Sequence, residues 1–343
     1  MGNPFTLSFG KKPLEEIARP VQISEILEAF TTDPINQQIY MLTGVRGSGK
    51  TVLLTDISNR LRTEEDWIVV ELNPTTDLLQ SLTVKLIRNE ACAEIFRKAK
   101  LNMGFPGLTA ELDLNATAAD LETSLQRMLE SLARRNKRVL VAIDEVTDSE
   151  NMRIFASSFQ IFIRQELPIF LLMTGLYENI EDLQNEKNLT FLYRAPKISL
   201  PALNINAIAS RYRSLFHLSR EEASDMARLT SGYPFAFQTL GYLTWQRGVS
   251  YQEVMTEYRQ YLEDFVYDKI WSELSPKDRT LVGAIAASES GEIGDIMKRA
   301  DFSRQEFSPY RKRLIRKGIV ETGVRGKLSF SLPLFREYVM DQL

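Results

Sequence analysis

The stretch GVRGSGKT, residues 44–51, fits the pattern G-x-x-x-x-G-K-[ST]. An apolar run, QIYMLTG, leads into it, and a helical pattern, GKTVLLTDISNRLR, follows. Glycines let main-chain amides converge on phosphate oxygens without a side-chain clash, and the start of a helix favours an anion. The stretch therefore predicts a cradle for the phosphates of a nucleoside triphosphate. The alternative is a glycine-rich turn that binds nothing, but such a turn would not require four fixed positions between a strand and a helix.

Two residues of this cradle have specific expected roles. Lys50 is expected to reach the β- and γ-phosphates, and Thr51 is expected to place its hydroxyl on Mg²⁺. The predicted nucleotide contacts of the loop are Gly44, Val45, Arg46, Gly47, Ser48, Gly49, Lys50, Thr51 and Val52.

Two further apolar runs end in polar residues. In RVLVAIDEV, Asp144 is expected to hold Mg²⁺ through water, and Glu145 is expected to accept a proton from the attacking water. A strand with a solvated end is the alternative, which the phosphate loop upstream makes weaker. The run IFLLMTG is expected to lie between the other two strands, as in phosphate-loop NTPases. Thr174 would then hydrogen-bond the attacking water or the γ-phosphate, unless it is an ordinary strand residue.

The strand and helix patterns divide the chain into three predicted domains. Over residues 1–200, nearly continuous apolar runs alternate with helical patterns, which predicts an α/β fold: a three-layer P-loop NTPase core around a parallel sheet. Residues 201–272 carry only helical patterns and are predicted to form an all-α lid domain. Residues 273–343 follow the order of a winged helix-turn-helix. The segment 101–115 is predicted to be a loop or a short hairpin.

Composition limits the other classes of function. The chain has 343 residues and a net charge of −3, so any contact with nucleic acid must come from a local patch. Cys92 is the only cysteine and His217 the only histidine, which excludes an internal disulfide, a cysteine-based zinc site and most histidine-based chemistry. Apolar runs reach only about ten residues, short of a membrane span of ~20, and no signal-peptide core is visible, so a cytoplasmic protein is expected.

Together these motifs resemble those of the AAA+ ATPases, and more narrowly those of the prokaryotic origin-recognition-like and archaeal ATPases, which are close to the STAND NTPases. The stretch SGYPFAFQ resembles the glycine-x-proline motif of their lid domain. The resemblance implies ATP and Mg²⁺ as ligands, with Ile17 and Arg19 contacting adenine and Pro234 packing on the base. It also implies that Arg194 is an arginine finger for a neighbour's γ-phosphate, with Arg164 as the second choice.

The chain departs from the family pattern at several of these positions. Residues 18–20 read Ala-Arg-Pro where the family usually has Gly-Arg-Glu. Tyr233 and Pro234 follow Gly232 where a sensor arginine is often found, and the proline could simply start a helix. Arg194 could equally cap a helix or pair with an acid.

The C-terminal region is locally basic. Between residues 301 and 327, eight basic side chains stand against three acidic ones, in a chain whose net charge is −3. A recognition helix and a wing would both face a duplex in this way, which predicts phosphate or guanine contacts. The predicted DNA-binding residues are Arg304, Arg311, Lys312, Arg313, Arg316, Arg325 and Lys327. The alternative is a solvated helix face above a core of Phe307, Leu314 and Ile315.

The sequence therefore predicts an ATP-binding, ATP-hydrolysing AAA+-type switch whose winged helix binds DNA or a partner. One alternative is a STAND-like signalling or defence ATPase whose winged helix contacts only protein. Another is a nucleotide-binding scaffold with negligible turnover. A second copy of the chain or another protein is the expected partner if Arg194 acts as a finger, and no membrane partner is expected.

Overall fold

The computed structural model describes three stretches of the chain, residues 2–8, 13–99 and 117–343. The loop or hairpin predicted at 101–115 lies outside them. The chain divides into two compact units. The first, which we call the sheet unit, comprises Pro20–Thr43 and Leu53–Ile198. The second, which we call the helical unit, comprises Met1–Arg19, Gly44–Val52 and Ser199–Leu343. The division into three domains stays a prediction.

The strands of the described residues fall into two sheets. In chain order they are β1 (Ile39–Thr43), β2 (Trp67–Leu72), β3 (Arg138–Ile143), β4 (Ile169–Gly175), β5 (Lys197–Ser199), β6 (Val320–Glu321) and β7 (Ser329–Phe330).

The helices of the described residues are, in chain order, α1 (Pro20–Thr31), α2 (Lys50–Arg62), α3 (Leu78–Arg88), α4 (Glu90–Lys98), α5 (Ala118–Ala133), α6 (Glu150–Arg164), α7 (Tyr177–Asn185), α8 (Ile205–Phe216), α9 (Arg220–Arg228), α10 (Pro234–Arg247), α11 (Met255–Leu262), α12 (Asp268–Glu273), α13 (Pro276–Ala287), α14 (Ile293–Ala300), α15 (Arg304–Arg316) and α16 (Phe335–Asp341). A 3-10 turn spans Thr190–Arg194, and a π-helical segment, Glu263–Tyr267, connects α11 to α12. Helices α7 and α16 were not predicted from the sequence.

The sheet unit is built on a five-stranded sheet in the order β2-β3-β4-β1-β5. Strands β2, β3, β4 and β1 pair in parallel, with Thr43 opposite Gly175 and Ile143 opposite Met173. Every residue of β1 and β4 is buried, which explains their continuous apolar sequences. Strand β4 lies between β3 and β1, as predicted, so the carboxyl ends of these three strands meet at one edge.

The helical unit has its own apolar core, which begins with the N-terminal arm. Phe5 is 2% exposed and packs against the rings of Tyr212, Phe216 and Phe237. Its ring also lies against Gly241, where a Cβ would come within 2.5 Å of the Phe5 Cζ. Phe5 therefore forms part of this core.

The C-terminal part of this unit has the order α13, α14, α15, β6, β7 and α16, with β6 and β7 antiparallel. This order is consistent with the winged helix predicted from the sequence. Asp278, 1% exposed, accepts hydrogen bonds from the amide and hydroxyl of Ser275. It also pairs with Arg313, whose guanidinium lies 2.6 Å from the carboxylate and 4.7 Å from the centre of the Tyr310 ring. This ion pair, in which the carboxylate is buried and the guanidinium is partly exposed, joins α15 to α13.

Within the described residues, no helix combines the length and the apolar character that crossing a membrane requires.

The ion pair between α13 and α15 generates a prediction about stability. Arg313→Ala leaves the Asp278 carboxylate buried without its guanidinium, so we expect the free energy of unfolding to fall by about 2–3 kcal/mol. The neighbouring exposed residue Lys312 provides the matched control, and Lys312→Ala should change stability by less than about 0.5 kcal/mol. Urea denaturation of the two variants measures the difference, and equal midpoints would contradict a structural role for Arg313.

Candidate functional site

The predicted phosphate loop connects the end of β1 to the start of α2, which begins at Lys50. Gly47 and Gly49 have φ angles of +74° and +87°, in the left-handed region that favours glycine. A Cβ on Gly47 would overlap the Tyr233 hydroxyl and lie 3.0 Å from the Phe235 Cβ. Glycine is therefore required at position 47 both by the backbone conformation and by the close packing around it.

Polar groups of the loop are available for an anion. The Ser48 hydroxyl is buried, and no group of the described residues hydrogen-bonds it. The Lys50 ammonium donates to the carbonyl oxygens of Gly44 and Val45, at 2.9 and 3.1 Å. An unsatisfied buried hydroxyl, a lysine and the first turn of a helix together fit the terminal phosphates of a nucleotide.

The two acids predicted to serve catalysis follow β3. Thr174, fully buried in β4, donates its hydroxyl hydrogen bond to the Asp144 carboxylate. The same hydroxyl oxygen accepts the Glu145 amide at 3.1 Å. Glu145 has a φ of +54°, a left-handed conformation that is uncommon for a residue other than glycine and is often found at functional sites.

The predicted role of Thr174 toward water or phosphate stays a prediction, and the structure shows a further set of contacts. The sequence predicted that its hydroxyl would face the attacking water or the γ-phosphate. In the structure that hydroxyl is engaged on both sides by the two acidic residues. Thr174 is therefore placed to orient Asp144 and Glu145.

A magnesium ion fits this chemistry only if the nucleotide and water supply most of its ligands. Among the described residues, no group of three His, Cys, Asp or Glu side chains comes together. Mg²⁺ at ATP sites commonly takes one or two protein ligands, with the remainder from phosphate and water. Thr51, in the first turn of α2, and Asp144, after β3, carry the oxygen atoms that such a site uses.

Arg19, predicted to contact adenine, supports the loop from its backbone side. Its guanidinium donates to the carbonyl of Ser48 at 3.2 Å and to that of Pro201 at 2.7 Å. The side chain is 9% exposed, and desolvation lowers the pKa of Arg19 to about 10. Ile17 packs at the edge of the apolar core of the same unit. Pro234 opens α10, with its ring 3.8 Å from where a Cβ of Gly49 would lie.

The two candidate arginine fingers lie in the sheet unit. Arg194 ends the 3-10 turn and is exposed, next to Tyr193, which is 71% exposed. Arg164 ends α6 and is also exposed.

The predicted DNA-binding residues separate into two groups. The exposed members are Arg304, Lys312, Arg316, Arg325 and Lys327. Arg313 is held by Asp278, and Arg311 is partly buried, with its Nε lacking a hydrogen-bond partner in the described residues. The exposed basic surface is therefore smaller than the sequence predicted.

Comparison with known proteins gives two family matches. Residues 17–162 match the family model of the AAA ATPase domain, and residues 264–339 match a domain of unknown function, DUF8462. Comparison with curated proteins returns no match.

Two solved structures share the fold. The Walker-type ATPase of Pyrococcus abyssi aligns with a TM-score of 0.67 at 14% identity, covering 95% of this chain and 96% of that one. The ORC2 protein of Aeropyrum pernix, solved in ADPNP–ADP complexes, aligns with a TM-score of 0.56 at 14% identity, covering 94% of this chain and 90% of that one.

The chain therefore has the fold of P-loop ATPases, and its residues 17–162 match the AAA ATPase domain. Its fold is the one shared by these archaeal Walker-type and ORC ATPases, which confirms the resemblance to AAA+ ATPases predicted from the sequence.

The contacts of Thr174 generate a prediction about its role. Thr174→Val preserves the shape of the side chain but removes the hydroxyl, so Asp144 and Glu145 both lose a hydrogen bond. We expect phosphate release to fall at least tenfold with little change in ATP affinity, and Thr174→Ser to restore most of it. Steady-state phosphate release and calorimetry with Mg-ATP measure the two quantities. A loss of folding shared by both variants, or full activity of the valine variant, would contradict an orienting role.

Proposed function

We propose that the chain is a Mg²⁺-dependent ATPase that works as a molecular switch, with a core at 1–200, a lid at 201–272 and a winged helix at 273–343. The observation that carries the proposal is the loop before α2, where Lys50 and the unsatisfied hydroxyl of Ser48 accompany left-handed glycines. The match of residues 17–162 to the AAA ATPase domain supports ATP as the nucleotide.

The chemical step assigns one role to each acid. Glu145 takes a proton from a water molecule as its oxygen attacks the γ-phosphorus, and the bond from that phosphorus to the β–γ bridging oxygen breaks, giving ADP and phosphate. Lys50 stabilises the negative charge on the transferred group. Thr51 and Asp144 would hold Mg²⁺, which would supply neutralisation of phosphate charge when bound. Thr174 keeps the two acids in register through its hydrogen bonds.

The C-terminal part is proposed to bind duplex DNA. In α15, Lys312 and Arg316 are exposed and four residues apart, so they share one side of the helix. Arg304, eight residues before Lys312, is exposed as well. Arg325 and Lys327, in the turn between β6 and β7, are exposed as well. A helix and a hairpin with this charge suit phosphate contacts along a groove.

A protein partner for the same surface is the second candidate. It is favoured by the smaller basic surface, because Arg313 is used within the fold and Arg311 is partly buried. We also propose that protomers meet through Arg194, because this arginine and Tyr193 are both exposed beside the last strand of the sheet.

The first test of the proposed activity separates binding from hydrolysis. We expect Lys50→Ala to abolish detectable Mg-ATP binding because it removes the charge that reaches the phosphates. Glu145→Gln should bind ATP like the parent and lose turnover at least a hundredfold, because glutamine cannot accept the proton. Calorimetry and phosphate release measure the two effects. Unchanged ATP binding by the lysine variant would contradict the proposed site, and unchanged turnover by the glutamine variant would contradict the base.

The second test concerns DNA. If α15 contacts phosphates, duplex affinity should fall steeply with salt, and each of Lys312→Ala and Arg316→Ala should reduce the slope of log K against log salt by about 0.9. Arg228→Ala, an exposed arginine of α9, is the matched control and should leave the slope unchanged. Fluorescence anisotropy with a labelled duplex measures the slope. A parent that does not bind the duplex would favour the protein partner.

A further inference from the structure

Three loop positions that the phosphate motif leaves unspecified are occupied by Val45, Arg46 and Gly47. All three belong to the helical unit, and three other segments of that unit lie against them. The motif needs only the main chain here, so these contacts require a separate explanation.

The first contact comes from the start of α10. Tyr233, which is 3% exposed, donates its hydroxyl hydrogen bond to the main-chain carbonyl of Arg46. The same hydroxyl and the Phe235 Cβ leave no room for a side chain at Gly47. The loop backbone is therefore held by the start of α10, which lies within the predicted lid.

The second contact comes from the end of α12. The Arg46 guanidinium lies 3.2 Å from the Glu273 carboxylate, and about a third of each side chain is exposed. Lys269, one turn earlier, lies 3.4 Å from the same carboxylate. The Arg46 Nε is buried without a hydrogen-bond partner in the described residues, so one donor of this arginine remains unused. An anion able to accept from that donor would compete with Glu273 for the side chain.

The third contact comes from the C-terminal part. Gly318, just after α15, has a φ of +77°, and a Cβ added to it would lie 3.6 Å from the Val45 nitrogen and 3.7 Å from the Val45 Cβ, so this turn lies beside Val45. The Gly318 carbonyl accepts the Ser331 hydroxyl, which ties this turn to the segment after β7. Residues 264–339, which match the domain of unknown function, thus contact the phosphate loop through Glu273 and lie beside it at Gly318.

The held loop has a consequence for Lys50. Its ammonium donates to the carbonyls of Gly44 and Val45. To reach the β- and γ-phosphates, that ammonium must give up its bond to one or both of these carbonyls. Contacts that fix Val45 and Arg46 therefore stabilise the arrangement that a triphosphate has to replace.

We propose that Tyr233, Glu273 and Gly318 form a latch on residues 45–47, which competes with ATP and links the state of the loop to the C-terminal domain. The inference rests on the proposed function, because the competing ligand is the triphosphate. Suppose that a partner binds the C-terminal domain only when that domain is released from the loop. Because binding free energies are reciprocal, this partner raises the affinity for ATP by the same factor by which ATP raises the affinity for the partner.

The ion pair offers the cleanest test because it is partly exposed and can be removed without emptying a core. Glu273→Gln keeps the size of the side chain and removes the charge that holds Arg46. Glu257→Gln is the matched control, since Glu257 pairs with Arg247 at 2.9 Å in the same unit and takes no part in the latch. Both variants are made in the full chain.

Two measurements separate the latch from the proposed function. Hydrogen exchange without nucleotide should become faster in peptides covering 43–52 and 317–331 for Glu273→Gln, and should not change for the control. Calorimetry should then give Mg-ATP binding about two- to fivefold tighter for Glu273→Gln than for the parent.

Each outcome has a distinct meaning. Unchanged exchange in both peptides overturns the latch, whatever the nucleotide affinity. Faster exchange with unchanged or weaker ATP binding overturns the competition. A parent that binds no Mg-ATP overturns the proposed function and the competition together, while the exchange result still decides whether the loop is held.

Discussion

The close approach of side chains to the backbone of residues 44–49 is the constraint that sets the conformation of the phosphate loop. A loop that offers its amides to phosphate oxygens cannot carry bulky side chains on its inner side. Here the outer side is equally restricted, since the Tyr233 hydroxyl occupies the space that a Cβ on Gly47 would need. Arg19 supports the same loop through the Ser48 carbonyl. The loop is therefore enclosed by contacts to its backbone, and its conformation is set by neighbours distant in sequence.

The two acidic residues that follow β3 are held by a different set of contacts. Asp144 and Glu145 follow β3, and one hydroxyl on β4 bonds to both of them. Because the two strands are neighbours in parallel register, their ends meet without any long connection. A single threonine thereby fixes the carboxylate that suits a metal and the backbone of the residue that suits a base. The left-handed conformation of Glu145 is held in place by this bond.

The parts that could be predicted from sequence are those with local signals. The loop motif, the apolar strands and the position of β4 between β3 and β1 follow from spacing and hydrophobic pattern. The inward role of Arg313 could not be predicted, because its partner Asp278 lies 35 residues away and both belong to ordinary helical patterns. The contact of Glu273 with Arg46 could not be predicted either, because Glu273 is one of several acidic residues at helix ends. Helix α16 did carry a signal, because Phe335, Tyr338 and Val339 stand at helical spacing, but the sequence prediction ended with the hairpin before it.

The π-helical segment between α11 and α12 has a geometric consequence for everything that follows it. Such a segment accommodates roughly one extra residue in a helix of 3.6 residues per turn, so the side chains beyond it are turned by about 100° relative to an uninterrupted α-helix. That rotation directs Tyr267 inward, where its hydroxyl donates a hydrogen bond to the Pro333 carbonyl. It also determines the direction in which the Glu273 side chain leaves α12. Deleting one residue from Glu263–Tyr267 would restore a regular α-helix and would place the carboxylate of Glu273 on a different face of that helix. The π-helical segment thus sets the rotation of α12 that brings Glu273 to Arg46.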